Sequence, residues 1–305
     1  MPCNWITGVD GFIGRNLGRL LMEQGQRVCA LGSDRTSDPG GQRHERLVGR
    51  ISSDLLDEMA SRQPLPETIF HLAGGSSVGS SLADPLGDFE STVVSTAIVL
   101  EWMRSAAPRA RLVYVSSAAV YGNGHSGPIP EGAATRPYSP YGTHKLMAEM
   151  LCKSALDNFG VDFVTVRPFS IFGVNLRKQL LWDCCNKLRS APASLELGGT
   201  GNELRDWLPV DDLTAILARV AHRDVPPGIA INAGSGHGVA VKTIVGWLTE
   251  AFGMTGLPVN FSGQSRPGDP ASLIADVTQL ASYGISIPSD LREYVNAYVT
   301  WFRSL

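Results

Sequence analysis

A tyrosine and a lysine four residues apart, Tyr141 and Lys145, have the types and the spacing needed for proton transfer. At this spacing both side chains lie on one face of a helix, so the ammonium group can lower the pKa of the phenol. Such a phenol can exchange a proton with a hydroxyl or carbonyl group near neutral pH. Ser117, at the end of a predicted strand, can hydrogen-bond the same oxygen. The pair alone is also common on solvated helix faces, so its meaning depends on the rest of the chain.

Three glycines spaced by two residues, Gly8, Gly11 and Gly14, stand between an apolar run at 4–7 and a helical pattern at 15–24. This order predicts a strand, a tight turn and a helix. The turn lets backbone approach a pyrophosphate and directs N–H groups at the anion. Three glycines are a weak signal in a glycine-rich chain, and the flanking strand and helix support the interpretation.

Strand-like runs alternate with long helical patterns through the first half of the chain. This alternation predicts βαβ units and an α/β fold, a Rossmann-type doubly wound parallel sheet. Ligands of such sheets bind in a crevice at the carboxyl ends of the strands. The predicted strands lie at 4–7, 27–31, 68–72, 111–116 and 162–167, and the two longest predicted helices at 86–105 and 143–159.

After Pro168 the elements become shorter and the chain richer in glycine and proline. We predict a dinucleotide-binding Rossmann domain at residues 1–170 with a return segment at about 206–236. Residues 171–205 and 237–305 would form a smaller C-terminal α/β substrate-binding lobe. The two parts are expected to interleave and to leave a cleft between them.

The 305 residues carry a formal net charge of −3 and are 43% hydrophobic and 18% charged, which indicates a globular protein with a large core. Without a basic stripe, nucleic acid is not an expected partner. Without a long apolar run or a secretory signal, we expect no membrane association and a cytoplasmic location. The five cysteines lack zinc-ligand spacing, so we expect reduced structural thiols and no metal site.

Taken together, the motifs of the chain resemble the extended short-chain dehydrogenase/reductase family in order and in spacing. The resemblance covers nearly the whole sequence. The motifs are the Gly8–Gly14 turn, His71–Gly74, Ser117, Tyr141 with Lys145, Arg167–Gly173, Arg205–Asp211 and Arg266–Asp269.

The resemblance implies roles for these positions. Ser117, Tyr141 and Lys145 would be catalytic, with Tyr141 transferring the proton and Lys145 also binding the nicotinamide ribose. Arg205 and Arg266 would clamp the diphosphate of a nucleotide diphosphate sugar, which suits the planar guanidinium fork. The other implied substrate-binding residues are Ser76, Ser117 and Ser170. The implied cofactor-binding residues are Gly8, Gly11, Phe12, Ile13, Gly14, Ser33, Arg35, Asp54, Leu55, Leu72, Ala73, Gly74, Thr92, Tyr141, Lys145 and Pro168.

The chain departs from the family at several of these positions. Ala118 and Ala119 stand where sugar 4,6-dehydratases carry an acidic pair, which disfavours dehydration. Gly32 ends the second strand where an NAD-preferring relative places an acidic residue for the ribose 2′-hydroxyl. Since Ser33 and Arg35 could receive a 2′-phosphate, we expect NADP(H), with NAD(H) as the alternative. Thr92 and Ser170 replace frequent asparagines, so their roles are harder to transfer.

Three functions are compatible with these features. The first is an NADPH-dependent 4-ketoreductase of a nucleotide 4-keto-6-deoxysugar in deoxysugar biosynthesis, which the NADP(H) expectation favours. The second is a nucleotide-sugar 4-epimerase that retains NAD. The third, a nucleotide-binding regulatory protein without turnover, is opposed by the intact Ser117, Tyr141 and Lys145. The resemblance also implies a homodimer formed through the helices at 86–105 and 143–159.

Overall fold

The first strand and its later neighbour, Cys3–Thr7 and Thr68–His71, are buried at every residue. Strands buried on both faces are typical of a parallel sheet with helices on each side. The computed structural model describes residues 2–33, 44–264, 269–287 and 290–305. The strands of these parts are β1 (Cys3–Thr7), β2 (Arg27–Gly32), β3 (His44–Val48), β4 (Thr68–His71), β5 (Arg111–Val115), β6 (Pro128–Ile129), β7 (Asp162–Pro168), β8 (Ser170–Phe172), β9 (Leu195–Leu197), β10 (Leu204–Pro209), β11 (Ile229–Ala233), β12 (Gly238–Ala240), β13 (Val259–Phe261) and β14 (Ser272–Ala275).

The helices alternate with the strands of the first half, as the sequence predicts. They are α1 (Phe12–Glu23), α2 (Ser53–Arg62), α3 (Val78–Ala83), α4 (Pro85–Phe89), α5 (Ser95–Ala106), α6 (Pro140–Phe159), α7 (Gln179–Arg189), α8 (Val210–Val220), α9 (Val241–Ala251), α10 (Thr278–Ser282) and α11 (Leu291–Arg303). The helix predicted at 86–105 is present, with a π-helical turn at Glu90–Val94 between α4 and α5, and its backbone stays helical through the turn. No helix of the described ranges is long and apolar enough to cross a membrane.

A seven-stranded parallel sheet in the order β3-β2-β1-β4-β5-β7-β11 confirms the Rossmann-type prediction. Thr7 at the end of β1 pairs with Leu31 on one side and with His71 on the other. The strand order therefore reverses beside β1, which is the switch point where ligands of doubly wound sheets bind. Strand β3 was not predicted, because its sequence contains charged residues and lacks a continuous apolar run.

The described chain forms two compact units. The first comprises Met1–Gly122, Ala134–Pro168 and Thr214–Ile231, and the second comprises Asn123–Ala133, Phe169–Leu213 and Asn232–Leu305. Residues 123–133 belong to the second unit because Ile129 of β6 pairs with Ala275 of β14. The return to the first unit is also shorter than predicted, since β10 pairs with β8, β12 and β14 of the second unit.

A buried arginine ties three parts of the first unit together. Arg111 of β5 is 1% exposed, and its Nε lies 3.0 Å from Asp162 Oδ1 of β7. Its Nη1 donates to the carbonyl oxygen of His222, 2.6 Å away, just after α8. A buried guanidinium must be paired and hydrogen-bonded in this way, because an isolated buried charge is costly.

Replacing Arg111 by alanine should lower the free energy of unfolding by about 2–4 kcal/mol, because it leaves buried acceptors without a donor. Urea denaturation followed by circular dichroism measures the loss. Arg223 provides a matched control, since it pairs with the same Asp162 but its side chain is 54% exposed. Arg223→Ala should cost less than about 1 kcal/mol, and equal losses in the two variants would contradict the account.

Candidate active site

Helix α6 presents Tyr141 and Lys145, and its first turn explains their position. Ser139 caps the helix by accepting a hydrogen bond from Gly142 N (3.1 Å), and Pro140 occupies the first helical position. A Cβ on Gly142 would lie 2.7 Å from the carbonyl oxygen of Ala119. Glycine at this position therefore lets α6 approach the short 3₁₀ turn that follows Ser117.

Ser117 lies two residues after the end of β5 and caps that turn, its Oγ accepting from Ala119 N at 3.1 Å. Its side chain also hydrogen-bonds Tyr141, which lowers the pKa of the phenol. Burial has the larger and opposite effect, so the pKa of Tyr141 is raised above its ordinary value. The expected lowering by Lys145 is thus wrong for the protein alone, because burial dominates the balance of effects on the phenol.

Lys145 is buried, and its Nζ donates to the carbonyl oxygen of Val115 at 2.9 Å. The Nζ lies 6.0 Å from the centre of the Tyr141 ring. Burial lowers the pKa of Lys145 to about 8, although Asp88 and Glu149 raise it. At neutral pH the side chain carries its positive charge.

Asp88 is a buried carboxylate of this region that sequence analysis missed. Its Oδ2 lies 2.6 Å from Nδ1 of His144, the neighbour of Lys145 on α6. A Cβ on Gly75 would lie only 2.7 Å from the Asp88 carboxyl carbon, so glycine is needed there. The position of His144 beside Lys145 is the only sequence signal of this pair, and nothing in the sequence indicates that Asp88 reaches it.

The segment that follows the carboxyl end of β4 lies next to Lys145. A Cβ on Gly74 would lie 3.2 Å from both Lys145 Nζ and Thr92 Oγ1. Thr92, buried in the π-helical turn, accepts a hydrogen bond from Gly75 N at 2.8 Å. The first unit thus brings the predicted residues Gly74, Thr92, Ser117, Tyr141 and Lys145 together.

His71 at the end of β4 is buried and hydrogen-bonded through both ring nitrogens. Its Nδ1 lies 2.7 Å from Thr7 Oγ1 and its Nε2 lies 3.1 Å from Thr96 Oγ1. Burial, assisted by the charge of Lys145, lowers its pKa to about 3. The ring is therefore neutral at physiological pH.

The glycine turn has the shape of a phosphate cradle. Gly8 has φ +70°, and a Cβ there would lie 2.7 Å from Ala73 N. A Cβ on Gly14 would lie 2.8 Å from the Cα of Val9. Gly11 begins α1 without a side-chain cap, so the first N–H groups of the helix are available for an anion. These observations fit the pyrophosphate of a dinucleotide.

The other cofactor candidates that the structure describes also lie in the first unit. Leu55 is buried and Asp54 exposed in the first turn of α2, and Ser33 is exposed after β2. Phe12 and Ile13 open α1, Leu72 and Ala73 follow β4, and Pro168 ends β7. Arg35 and the substrate candidate Arg266 lie outside the described residues.

Of the other predicted substrate residues, Ser76 is exposed in the first unit, whereas Ser170 and Arg205 lie on β8 and β10 of the second. Arg205 Nη2 pairs with Asp269 Oδ1 at 2.7 Å, and its Nη1 donates to the carbonyl oxygen of Pro270 at 2.7 Å. Arg205 therefore forms an ion pair with Asp269. A diphosphate would have to compete with Asp269 for it.

The opposing effects of burial and of nearby carboxylates on the pKa of Lys145 can be tested by titrating its ammonium group. In protein labelled with ¹³C at lysine Cε, the Lys145 resonance should titrate near pH 8. Asp88→Asn should lower that pKa, because it removes a carboxylate that stabilises the ammonium form. Asp84→Asn is the matched control, since Asp84 caps α4 from the surface and asparagine caps equally well. An unchanged titration in Asp88→Asn would contradict the assigned influence.

Comparison with known proteins supports the family that the motifs suggest. Residues 5–234 match the family model described as NAD dependent epimerase/dehydratase family. The chain is 29% identical to the UDP-glucose 4-epimerase of Azospirillum brasilense, covering 98% of this chain and 92% of that protein. It is 30% identical to the UDP-glucose 4-epimerase of Streptomyces lividans, covering 88% of this chain and 86% of that protein.

Among solved structures, MoeE5 in complex with UDP-glucuronic acid and NAD superposes with a TM-score of 0.87. The two sequences are 29% identical, and the match covers 99% of each chain. The family model spans most of the sequence, and the relatives match over nearly all of it. The chain therefore belongs to the NAD dependent epimerase/dehydratase family.

Proposed function

We propose that the protein is an NAD-dependent 4-epimerase of a UDP-sugar. The observation that carries this proposal is the group formed by Ser117, Tyr141 and Lys145 beside the glycine cradle of the same unit. The curated relatives named above are 4-epimerases, and MoeE5 is seen with NAD. These relatives favour the 4-epimerase over the 4-ketoreductase. They give no support to a preference for NADP(H) over NAD(H).

In this proposal the cradle of Gly8, Gly11 and Gly14 would hold the cofactor pyrophosphate, and Lys145 the nicotinamide ribose. Bound NAD would supply a hydride acceptor that becomes the donor for the return step. The neighbouring Gly74 leaves space beside the ammonium group, since a side chain there would contact Lys145 Nζ. Arg205 would bind the diphosphate after exchanging its contact with Asp269.

Tyr141 would remove the proton from the C4 hydroxyl of the sugar and return it when the configuration at C4 has been inverted. Since burial raises its pKa, the phenol is protonated at neutral pH in the protein alone. Its conversion to a base needs stabilisation of the phenolate, which the Ser117 hydrogen bond and the Lys145 charge would provide. Ala118 and Ala119 have no acid or base to eliminate water, which is consistent with epimerisation.

Incubation with UDP-glucose, UDP-galactose or UDP-glucuronic acid should interconvert one substrate with its C4 epimer, without net change in absorbance at 340 nm. Denatured protein should release NAD. Tyr141→Phe should lower kcat about 100-fold or more, because the proton has no acceptor. Tyr138→Phe is the control, since this nearby tyrosine is 61% exposed and should leave kcat unchanged.

Steady oxidation of NADPH by a nucleotide 4-keto-6-deoxysugar, without interconversion of UDP-sugars, would overturn the proposal and restore the ketoreductase. Binding of UDP-sugar and NAD without turnover, equal in wild type and Tyr141→Phe, would instead favour the regulatory protein.

We also propose that the protein is a homodimer. Large apolar side chains are exposed on α3, α4, the π-helical turn and α6, and the first three of these elements pack against α6. Such exposed clusters commonly mark interfaces between subunits. These elements overlap the segments 86–105 and 143–159, through which the family resemblance implies a dimer. The side chains are Val78, Leu82, Leu86, Val94, Met147 and Met150.

Sedimentation velocity at micromolar concentration should give the mass of a dimer. The double variant Leu86→Glu with Met150→Glu should sediment as a monomer, because charge would be buried in the interface. Leu65→Glu, at an exposed residue outside these helices, should remain dimeric. A monomeric wild-type protein would exclude the proposed interface.

A further inference from the structure

The end of strand β2 lacks the side chain that usually recognises the adenosine ribose in dinucleotide-binding folds. Such folds place an acidic residue there, about 20 residues after the glycine turn, to accept a hydrogen bond from the 2′-hydroxyl. In this chain the strand ends at Gly32. From the sequence alone this substitution suggests that no carboxylate is present and that a 2′-phosphate would be tolerated.

The folded chain nevertheless brings a carboxylate to this place. Gly8 N donates to the carbonyl oxygen of Leu31 at 2.9 Å, so the glycine turn crosses the end of β2. A Cβ built on Gly32 would lie 2.8 Å from the carboxyl carbon of Asp10 and 3.1 Å from its Oδ1. The Asp10 carboxylate therefore occupies the space in which a side chain at position 32 would begin.

Two arginines fix Asp10 in this position. Arg46 of β3, the neighbour of β2, forms an ion pair with the carboxylate, and the two side chains are only 15% and 12% exposed. Arg15 of α1 donates from Nε to the carbonyl oxygen of Asp10 at 2.7 Å. A largely buried, charge-assisted ion pair holds the carboxylate in one orientation.

We propose that Asp10 replaces the missing acidic residue of strand β2, binds the adenosine ribose of the cofactor and selects NAD over NADP. This inference rests on the proposed use of NAD and adds the residue that determines the choice. The carboxylate accepts a hydrogen bond from the 2′-hydroxyl and repels a 2′-phosphate. It also holds Arg46 in an ion pair, and so keeps the nearest cation of β3 from binding that phosphate.

The test is binding of NADH and NADPH to the cofactor-free protein, followed by the fluorescence of the reduced nicotinamide. Wild-type protein should bind NADH more tightly than NADPH. Asp10→Asn should weaken NADH about 10-fold, because a neutral amide oxygen accepts the 2′-hydroxyl more weakly than a carboxylate does. It should leave NADPH affinity unchanged or improved, because repulsion is removed and Arg46 is released.

A relocated carboxylate provides the sharper control. In the double variant Asp10→Ala with Gly32→Asp, the acid returns to the strand end without overlapping Asp10, and preference for NADH should be restored. Gly32→Asp alone should not improve NADH binding, since its side chain overlaps the existing carboxylate. Glu45→Gln, which removes a partly exposed carboxylate next to Arg46 on β3, should change neither affinity.

A purely structural role for Asp10 would lower both affinities equally in Asp10→Asn, together with the melting temperature, and would overturn the inference. Tighter binding of NADPH than of NADH by the wild type would also overturn it and assign Arg46 as the phosphate ligand. Preference for NADH that depends on Asp10, in a protein that interconverts no UDP-sugar, would contradict the proposed epimerase and leave the role of Asp10 intact.

Discussion

The buried ion pair between Arg167 and Glu149 is the interaction on which the geometry of the candidate site depends. Arg167 of β7 binds the carboxylate of Glu149 on α6 through two parallel contacts, Nε to Oε1 at 3.0 Å and Nη2 to Oε2 at 2.6 Å. The same guanidinium donates to the hydroxyl of Tyr121 at 2.8 Å, and Ser116 Oγ donates to Glu149. One network therefore joins β7, α6, the end of β5 and the turn after it.

These elements carry the residues proposed to do the chemistry. Lys145 lies one helical turn before Glu149, and Ser117 is the neighbour of Ser116. Because paired charges lose their hydration when buried, such a network contributes less to stability than its short contacts suggest. A bidentate contact fixes both the position and the rotation of α6 relative to the sheet.

Burial also decides the protonation of the site. It raises the pKa of Tyr141, lowers that of Lys145 to about 8 and lowers that of His71 to about 3. Asp88 opposes the effect on Lys145 and keeps the ammonium charged near neutral pH. The expectation that Lys145 alone lowers the pKa of Tyr141 treated the two side chains as an isolated pair. Desolvation inside the fold raises the pKa of Tyr141, and the hydrogen bond from Ser117 offsets only part of that increase.

The sequence by itself determined the fold class and the family, because glycine spacing, strand periodicity and ordered motifs are local features that need only the chain. It also located Ser117, Tyr141 and Lys145, since their helix and strand positions follow from short patterns. Only the tertiary structure brought Asp88 to His144 and Asp10 to the end of β2, through contacts between residues far apart in the chain. The sequence shows that Gly32 lacks an acidic side chain, and this suggested NADP. It does not show that Asp10, which follows β1, places its carboxylate at the end of β2. The physical reason is that side-chain periodicity acts over a few residues, while the charge at a site is the sum over every element that folding packs around it.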